Sequence, residues 1–199
     1  MIDSKIAVVI PTLNEADNIS ELIKSMQEII SSELLSIFIV DDNSTDDTAE
    51  ISRDLDAQYH NVNVHVRKDE IGIGSAVLFG LRLALSKPDI DLFVTIDADL
   101  SHNPEELPKM LSAANSIDLI QGSRYIKGGS IKGWGLRRRL ISLSINMIYR
   151  ILFRTGLHDH TSFFRIHSRR CAQKMVSELQ CDGYELGIAT ILKCMDNGY

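Results

Sequence analysis

The chain has 199 residues, of which 44% are hydrophobic, 24% charged and 6% aromatic, and its formal net charge is −6. This composition excludes a disordered tail, a collagen-like repeat and a small disulfide scaffold, and the length fits one domain around one core. Cys171, Cys181 and Cys194 are odd in number and lack C-x-x-C spacing. They read as reduced thiols of a cytosolic protein, not as bridges or zinc ligands. The N-terminus lacks the basic-then-apolar order of a signal peptide. Residues 140–153 are interrupted by Ser142, Ser144, Asn146 and Arg150, so no membrane span is expected there.

In chain order, residues 6–10 form a continuous apolar run, as in a strand buried on both faces. Ile19, Leu22, Ile23, Met26, Ile29 and Ile30 then recur at helical spacing. Residues 37–40 predict a second buried strand that ends at Asp41-Asp42. Asn43, Ser44, Thr45 and Asp46 supply helix-capping chemistry before a helix over 48–55. Val62, Val64 and Val66 alternate with polar residues, as in a strand near an edge. Gly72-Ile73-Gly74 turns into a helix over 75–85. Residues 92–96 predict a strand that stops at Asp97-Ala98-Asp99, Pro104 opens a helix to about 114, and Leu119-Ile120 forms a short strand before Gly122-Ser123-Arg124. Strands alternating with helices predict an α/β fold, with a mostly parallel central sheet and helices on both faces. Ligands of such sheets bind beyond the carboxyl ends of the strands, where these polar clusters stand.

Charge is divided along the chain. Residues 1–119 hold 8 Lys/Arg against 22 Asp/Glu, and residues 120–199 hold 13 against 5, giving −14 and +8. Two readings fit: opposite faces that attract one another, or a site where acidic groups hold a metal and basic groups hold phosphates. Arg124, Lys127, Lys132, Arg137, Arg138 and Arg139 fall in a window without an acidic residue. The acidic total and the lack of a base-reading motif argue against nucleic acid.

Period-two alternation after a buried strand sends Asp97 and Asp99 to one side while Ala98 points away. Two carboxylates so placed repel unless a cation or hydrogen-bond donors stand near. Gly72-Ile73-Gly74 fits neither the dinucleotide nor the Walker pattern. Ser123 and Ser142 lack a His-Asp pattern that would activate them. His102 reads either as a metal or phosphate neighbour or as a structural residue before the helix. His158 and His160 read as loop histidines. Residues 136–153 carry Leu140, Leu143, Ile145, Ile148, Ile151 and Leu152 between basic ends. That segment is either a helix packed on the sheet or an interfacial helix resting on anionic lipid.

Pro11-Thr12-Leu13-Asn14-Glu15, Asp41-Asp42-Asn43-Ser44, Gly72-x-Gly74-x-Ala76, residues 97–104 and Gly122-Ser123-Arg124-Tyr125 occur in order. Together they resemble the inverting family-two glycosyltransferases, most closely the dolichol-phosphate (polyprenyl-phosphate) mannosyltransferases. The resemblance runs from about residue 5 to 165. It implies a Rossmann-like nucleotide-diphospho-sugar transferase (GT-A) fold and transfer of a sugar from a nucleotide donor to a lipid phosphate at the cytosolic face of a membrane. It implies that Pro11, Leu13 and Glu15 border the nucleoside, that Val40 and Asp42 contact base and ribose, and that Asp97 and Ala98 complete the donor side. Asp97, Asp99 and Ser101 would hold Mg2+ or Mn2+, with Asp99 the direct ligand. Arg124 would face phosphate oxygens. Trp134, Arg138 and Ser142 match a W-x-x-x-R-x-x-x-S pattern, which puts Arg138 and Ser142 at the acceptor phosphate. The catalytic set is then Asp99, Arg124 and Arg138. Leu13 stands in place of the family's usual Tyr, Ser101 in place of Gln, and Phe163 in place of a Gly.

Residues 1–199 are accordingly read as one glycosyltransferase domain, with a nucleotide-sugar part over 1–125 and an acceptor part over 126–199. A helical pattern running to the last residues suggests a missing C-terminal segment or a membrane-anchoring partner. The leading expectation is mannose moved from GDP-mannose onto a polyprenyl phosphate. Alternatives are a relative using UDP-glucose and a hydroxyl acceptor, which needs a catalytic carboxylate such as Asp159 or Glu185, and a non-catalytic subunit that binds nucleotide sugar or lipid. A receiver-type reading of Asp41-Asp42 is disfavoured because no suitable lysine follows the last strand.

Overall fold

The structure is a computed structural model that describes residues 4–69, 71–114, 117–131 and 135–199. Lys132 and Trp134, both singled out by sequence, lie outside these residues. Six strands form one sheet in the order β3-β2-β1-β4-β6-β5. They are β1 (Ile6–Thr12), β2 (Leu35–Asp41), β3 (Val62–Val66), β4 (Leu92–Thr95), β5 (Leu119–Gln121) and β6 (Arg165–Ser168). The first four run parallel; β6 is antiparallel to both β4 and β5. The expected mostly parallel sheet is therefore present, with one reversed strand inside it, and β3 is an edge strand as its alternation predicts.

Period two along β1 explains the layering. Ile6, Val8 and Ile10 face one core with Ile37 and Ile39, under α1 (Ala16–Ile29), α2 (Thr48–Tyr59) and α4 (Leu107–Ser112). Ala7 and Val9 face the other core, under α3 (Ile73–Leu85), α6 (Arg169–Glu178) and α7 (Leu186–Asp196). Both faces of the central strands are covered, which accounts for their unbroken apolar runs. Gly80 lets α3 lie close to the sheet, since a Cβ there would stand 2.4 Å from Val9 Cγ1.

Two expectations are revised. The helix opened by Pro104 is a 3-10 turn over Pro104–Glu106 followed by α4. Pro108 has no N–H to continue the ladder, and this breaks the run. The reading of residues 136–153 as a helix packed on the sheet also fails. α5 (Leu136–Phe153) forms, but its buried residues are the polar Ser142 and Asn146. Leu136, Leu140, Leu143, Met147 and Ile151, a stripe at helical spacing, are each at least 47% exposed. Its polarity is inverted relative to a helix on a globular core.

Candidate functional site

The carboxyl ends of β1, β2 and β4, the start of β6 and the end of β5 share one rim of the sheet. A cleft of about 750 Å³ opens there. Pro11, Leu13, Glu15, Asp42, Asp97, Ala98, Asp99 and Ser101 line one part of it, and Arg124, Arg138 and Ser142 another. Of the residues assigned from the resemblance to donor, metal and acceptor phosphate, all line this cleft except Val40. Val40 is fully buried in β2 and packs where Gly80 lacks a side chain.

The four carboxylates at the strand ends do not act as one cluster. Asp41 is fully buried and accepts hydrogen bonds from Thr12 Oγ1 (3.0 Å), Ser44 N (2.9 Å) and Ser44 Oγ (2.5 Å). Asp42 takes Arg67 Nε at 2.7 Å and Arg67 Nη2 at 2.5 Å on Oδ1, and Gly72 N at 2.8 Å on Oδ2. Arg67 also donates to Gly72 O and Ser75 Oγ. The expected contact of Asp42 with base and ribose must therefore coexist with a structural duty. Arg67 was not singled out from the sequence. Its signal is a cation directly after an edge strand that pairs with the strand ending in Asp41-Asp42.

Glu15, Asp97 and Asp99 remain open to the cleft. Burial pushes the Asp97 carboxyl up to about 7, the charges of Asp99 and Glu15 add to the shift, and Arg124 and Arg165 oppose it. Burial likewise raises Glu15, against a hydrogen bond from Asn18 Nδ2 at 2.8 Å. Leu100 has a φ of 54°, a left-handed conformation that costs a residue with a Cβ roughly 1–2 kcal/mol. The turn it makes brings Ser101 N within 3.0 Å of Asp99 Oδ1. Strain of this kind collects where geometry serves a site.

Among the described residues no group of three or more His, Cys, Asp or Glu side chains is arranged to hold a metal alone. Asp97 Oδ1 is nevertheless sealed from solvent without a hydrogen-bond partner, next to a second carboxylate whose charge disfavours its own. Two such carboxylates fit a hard cation whose shell is completed by diphosphate oxygens and water. Asp97 and Asp99, with Ser101 beside them, are the residues that would hold it.

On the opposite side, Arg124 grips Asp159 through Nε–Oδ2 and Nη2–Oδ1 contacts of 2.7 Å each, and Nη2 reaches Thr161 Oγ1 at 2.6 Å. Burial raises the Asp159 carboxyl, but the bonds from Arg124 outweigh it and hold that group below the usual carboxylate range. Ser142 Oγ accepts from Tyr125 Oη at 2.7 Å. Asn146 donates to Ser142 O at 2.9 Å, so this polar stripe of α5 is tied to the cleft. Glu185 accepts from the backbone of Asp182 and Gly183. Residues 182–184 also line the cleft, a wall that no sequence motif announced. They are fixed by Gly74 N donating to Asp182 O at 2.9 Å.

Comparison with known proteins bears on this arrangement. The family described as Glycosyl transferase family 2 matches residues 7–176. Dolichol-phosphate mannosyltransferase of Pyrococcus furiosus is 40% identical over 148 residues, which is 74% of this chain and 41% of that protein. Polyprenol monophosphomannose synthase of Mycolicibacterium smegmatis is 33% identical over 195 residues, 96% of this chain and 72% of that protein. The chain thus spans about two fifths of the first relative and almost three quarters of the second. Among solved structures, glucosyl-3-phosphoglycerate synthase of Mycobacterium tuberculosis in complex with Mn2+, UDP and glucosyl-3-phosphoglycerate superposes with a TM-score of 0.73 at 19% identity, covering 98% of this chain and 66% of that one. The same enzyme without those ligands in its description gives 0.71 at 22% identity. At that identity the likeness shows the fold, which is that of these GT-A enzymes.

Proposed function

The chain belongs to glycosyl transferase family 2, and from that premise we propose that it moves a hexose, mannose from GDP-mannose foremost, onto a polyprenyl or dolichyl phosphate. The observation that carries this reading is the single cleft that sets Glu15, Asp97 and Asp99 against Arg124, Arg138 and Ser142. In the reaction a lipid-phosphate oxygen attacks the anomeric carbon, the bond from that carbon to the donor diphosphate breaks, and its electron pair leaves with the nucleoside diphosphate. The acceptor is already an anion near neutral pH, because a phosphate monoester's second pKa is about 6. The protein's work is to position the reactants and stabilise charge on the leaving group.

Arg138 and Ser142 orient the acceptor phosphate, and Arg124 turns its remaining surface toward phosphate oxygens from a side chain fixed by Asp159. Pro11, Leu13 and Glu15 border the nucleoside. Mg2+ or Mn2+ held by Asp97 and Asp99 would supply Lewis-acid neutralisation of the leaving diphosphate. A hydroxyl acceptor would need a carboxylate base. Asp159 and Glu185 are both engaged as acceptors of protein hydrogen bonds, which favours an acceptor that arrives ionised.

Where the lipid would come from is suggested by α5. No described helix is long and apolar enough to cross a membrane. The exposed apolar stripe of α5 with Arg137 and Arg139 at one end suits a peripheral seat on an anionic leaflet, at the cytosolic face. Ile141 and Ile145 continue that surface into the cleft.

The test is a donor screen with Mn2+ or Mg2+ and a short-chain polyprenyl phosphate, comparing wild type with Asp99→Ala and Arg138→Ala. Asp99→Ala is expected to abolish transfer and weaken cation-dependent nucleotide binding. Arg138→Ala is expected to raise the KM for the lipid phosphate. Undiminished turnover in both variants overturns the assignment, and donor binding with no transfer to any lipid phosphate redirects it to a binding subunit or a hydroxyl acceptor.

A further inference from the structure

α5 is fastened to the body of the protein by polar groups, since its buried side chains are those of Ser142 and Asn146. The Asn146 amide has one orientation. Its Oδ1 accepts from His160 N at 2.5 Å, a backbone donor whose direction is fixed, so Nδ2 faces Ser142 and donates to its carbonyl at 2.9 Å. The His160 ring completes a clip. Nδ1 stands 3.2 Å from the same Oδ1, and Nε2 stands 2.6 Å from Thr155 Oγ1. An amide oxygen only accepts, which places the ring proton on Nδ1 and leaves Nε2 to take the threonine proton. The ring also meets Tyr149 of α5 edge-on, with centroids 5.8 Å apart. His160 is itself anchored, because its carbonyl accepts from Arg165 Nη2 of β6 at 3.2 Å. The residue before it, Asp159, is the one that grips Arg124. Two consecutive residues thus register both cationic parts of the cleft, Asp159 holding Arg124 and His160 holding α5.

We propose that Asn146 is a positioning residue for the acceptor phosphate: clipped to His160, it sets the rotation of α5 that turns Arg138 and Ser142 into the cleft. This rests on the reading of Arg138 and Ser142 as the acceptor side. Residues 138, 142 and 146 are four apart and share one face of the helix. Arg138 and Ser142 line the cleft, and Asn146, 4% exposed, ties that face down. The opposite stripe, Leu136, Leu140, Leu143, Met147 and Ile151, is apolar and exposed. The hydrophobic effect alone would favour rolling that stripe inward, which carries Arg138 and Ser142 out of the cleft. The clip opposes the roll, because withdrawing Asn146 leaves the N–H and the ring nitrogen of the buried His160 without a partner. Asn146 touches no reactant. It acts through the place it gives the Arg138 guanidinium.

The experiment measures kcat, the KM for a short-chain polyprenyl phosphate and the dissociation constant of GDP-mannose with Mn2+, for wild type, Asn146→Leu, Arg138→Ala and the double variant. Leu is a branched apolar side chain of the same length, so it fills the site while the clip is lost. Asn146→Leu is expected to raise the acceptor KM roughly 10-fold. The donor dissociation constant should stay within about 2-fold of wild type, and adding Asn146→Leu to Arg138→Ala should raise the acceptor KM by less than about 2-fold more, because the group it positions is gone. A merely structural role weakens donor and acceptor together and multiplies the two single effects, which overturns the inference. If Asn146→Leu does not fold, His160→Ala carries the same comparison. It keeps the backbone N–H, removes the ring's contacts with Asn146, Thr155 and Tyr149, and should raise the acceptor KM with the same non-additivity toward Arg138→Ala. Failure of wild type to transfer from GDP-mannose or UDP-glucose to any lipid phosphate defeats the reading of the cleft, and this inference with it. Wild-type transfer with an unchanged acceptor KM in Asn146→Leu defeats this inference alone.

Discussion

Arg67 and Asp42 form a buried ion pair at the lip of the cleft, each side chain 5% exposed, with Arg67 Nη2 2.5 Å from Asp42 Oδ1. The second carboxylate oxygen holds Gly72 N. One pair thus joins the end of β2, the residue after β3 and the turn into α3.

Removing one partner strands the other without solvent. Arg67→Ala should cost about 3–5 kcal/mol, the range for breaking a buried pair, read as a lower urea midpoint. Arg67→Lys should recover only part of this, since an ammonium cannot reproduce the two contacts to Oδ1 together with those to Gly72 O and Ser75 Oγ. Equal midpoints for wild type and Arg67→Ala would refute the pair's role.

Asp97 gives the metal-free protein a pH dependence of known sign. Its folded pKa is about 7, above the ordinary value of 3.8, so the native state binds the extra proton between those limits. Stability in chelator should fall as pH rises from about 4 to about 7 and flatten above, by an amount on the order of 1–3 kcal/mol. Asp97→Asn should remove that slope. Mn2+ competes with the proton, so it should stabilise wild type more at pH 8 than at pH 6. Thermal melts across this range, with and without Mn2+, check both signs.

The exposed stripe of α5 predicts binding to vesicles. Leu140→Gln combined with Met147→Gln should weaken flotation with both neutral and anionic vesicles. Arg137→Glu combined with Arg139→Glu should weaken it only with anionic ones, at about 1 kcal/mol for each cation lost. Because these side chains are exposed, the melting temperature should move little in the apolar pair.

Gly74 is a packing requirement. A Cβ there would stand 2.6 Å from the carbonyl oxygens of Cys181 and Gly183, both backbone atoms. Gly74→Ala should therefore destabilise by about 1–3 kcal/mol and displace residues 182–184 from the cleft wall. A raised KM for the nucleotide donor, together with a lower urea midpoint, is the expected pair of readouts.

The apolar runs at 6–10 and 37–40 announced the central strands because burial on both faces leaves no room for polar alternation. β6 escaped that reading. Arg165 lies inside it, fully buried, and its guanidinium donates to the carbonyls of Ser162, His160 and Gly187. A cation satisfied by backbone oxygens, two from the segment just before it and one from α7, carries no side-chain signature in the sequence. Asp41 and Asp42 are adjacent and alike in sequence, yet one is satisfied by hydroxyls and the other by Arg67, a division that only the tertiary fold makes. The motif at 97–104 was legible as a site because short polar residues close an apolar strand. The wall at 182–184 was not, since it reaches the cleft through its contact with Gly74.

The reversed strand has a consequence for how the protein is put together. β6 lies between β4 and the edge strand β5, so a late stretch of chain is inserted one strand from the border of a sheet whose other strands all come from the first 121 residues. The first 121 residues and this late strand consequently share one sheet, and β5 is joined to the rest of it only through β6. A chain ended between β5 and α5 would lack β6 and leave β5 with no strand to bond, so the early half of the sequence cannot close its own sheet edge.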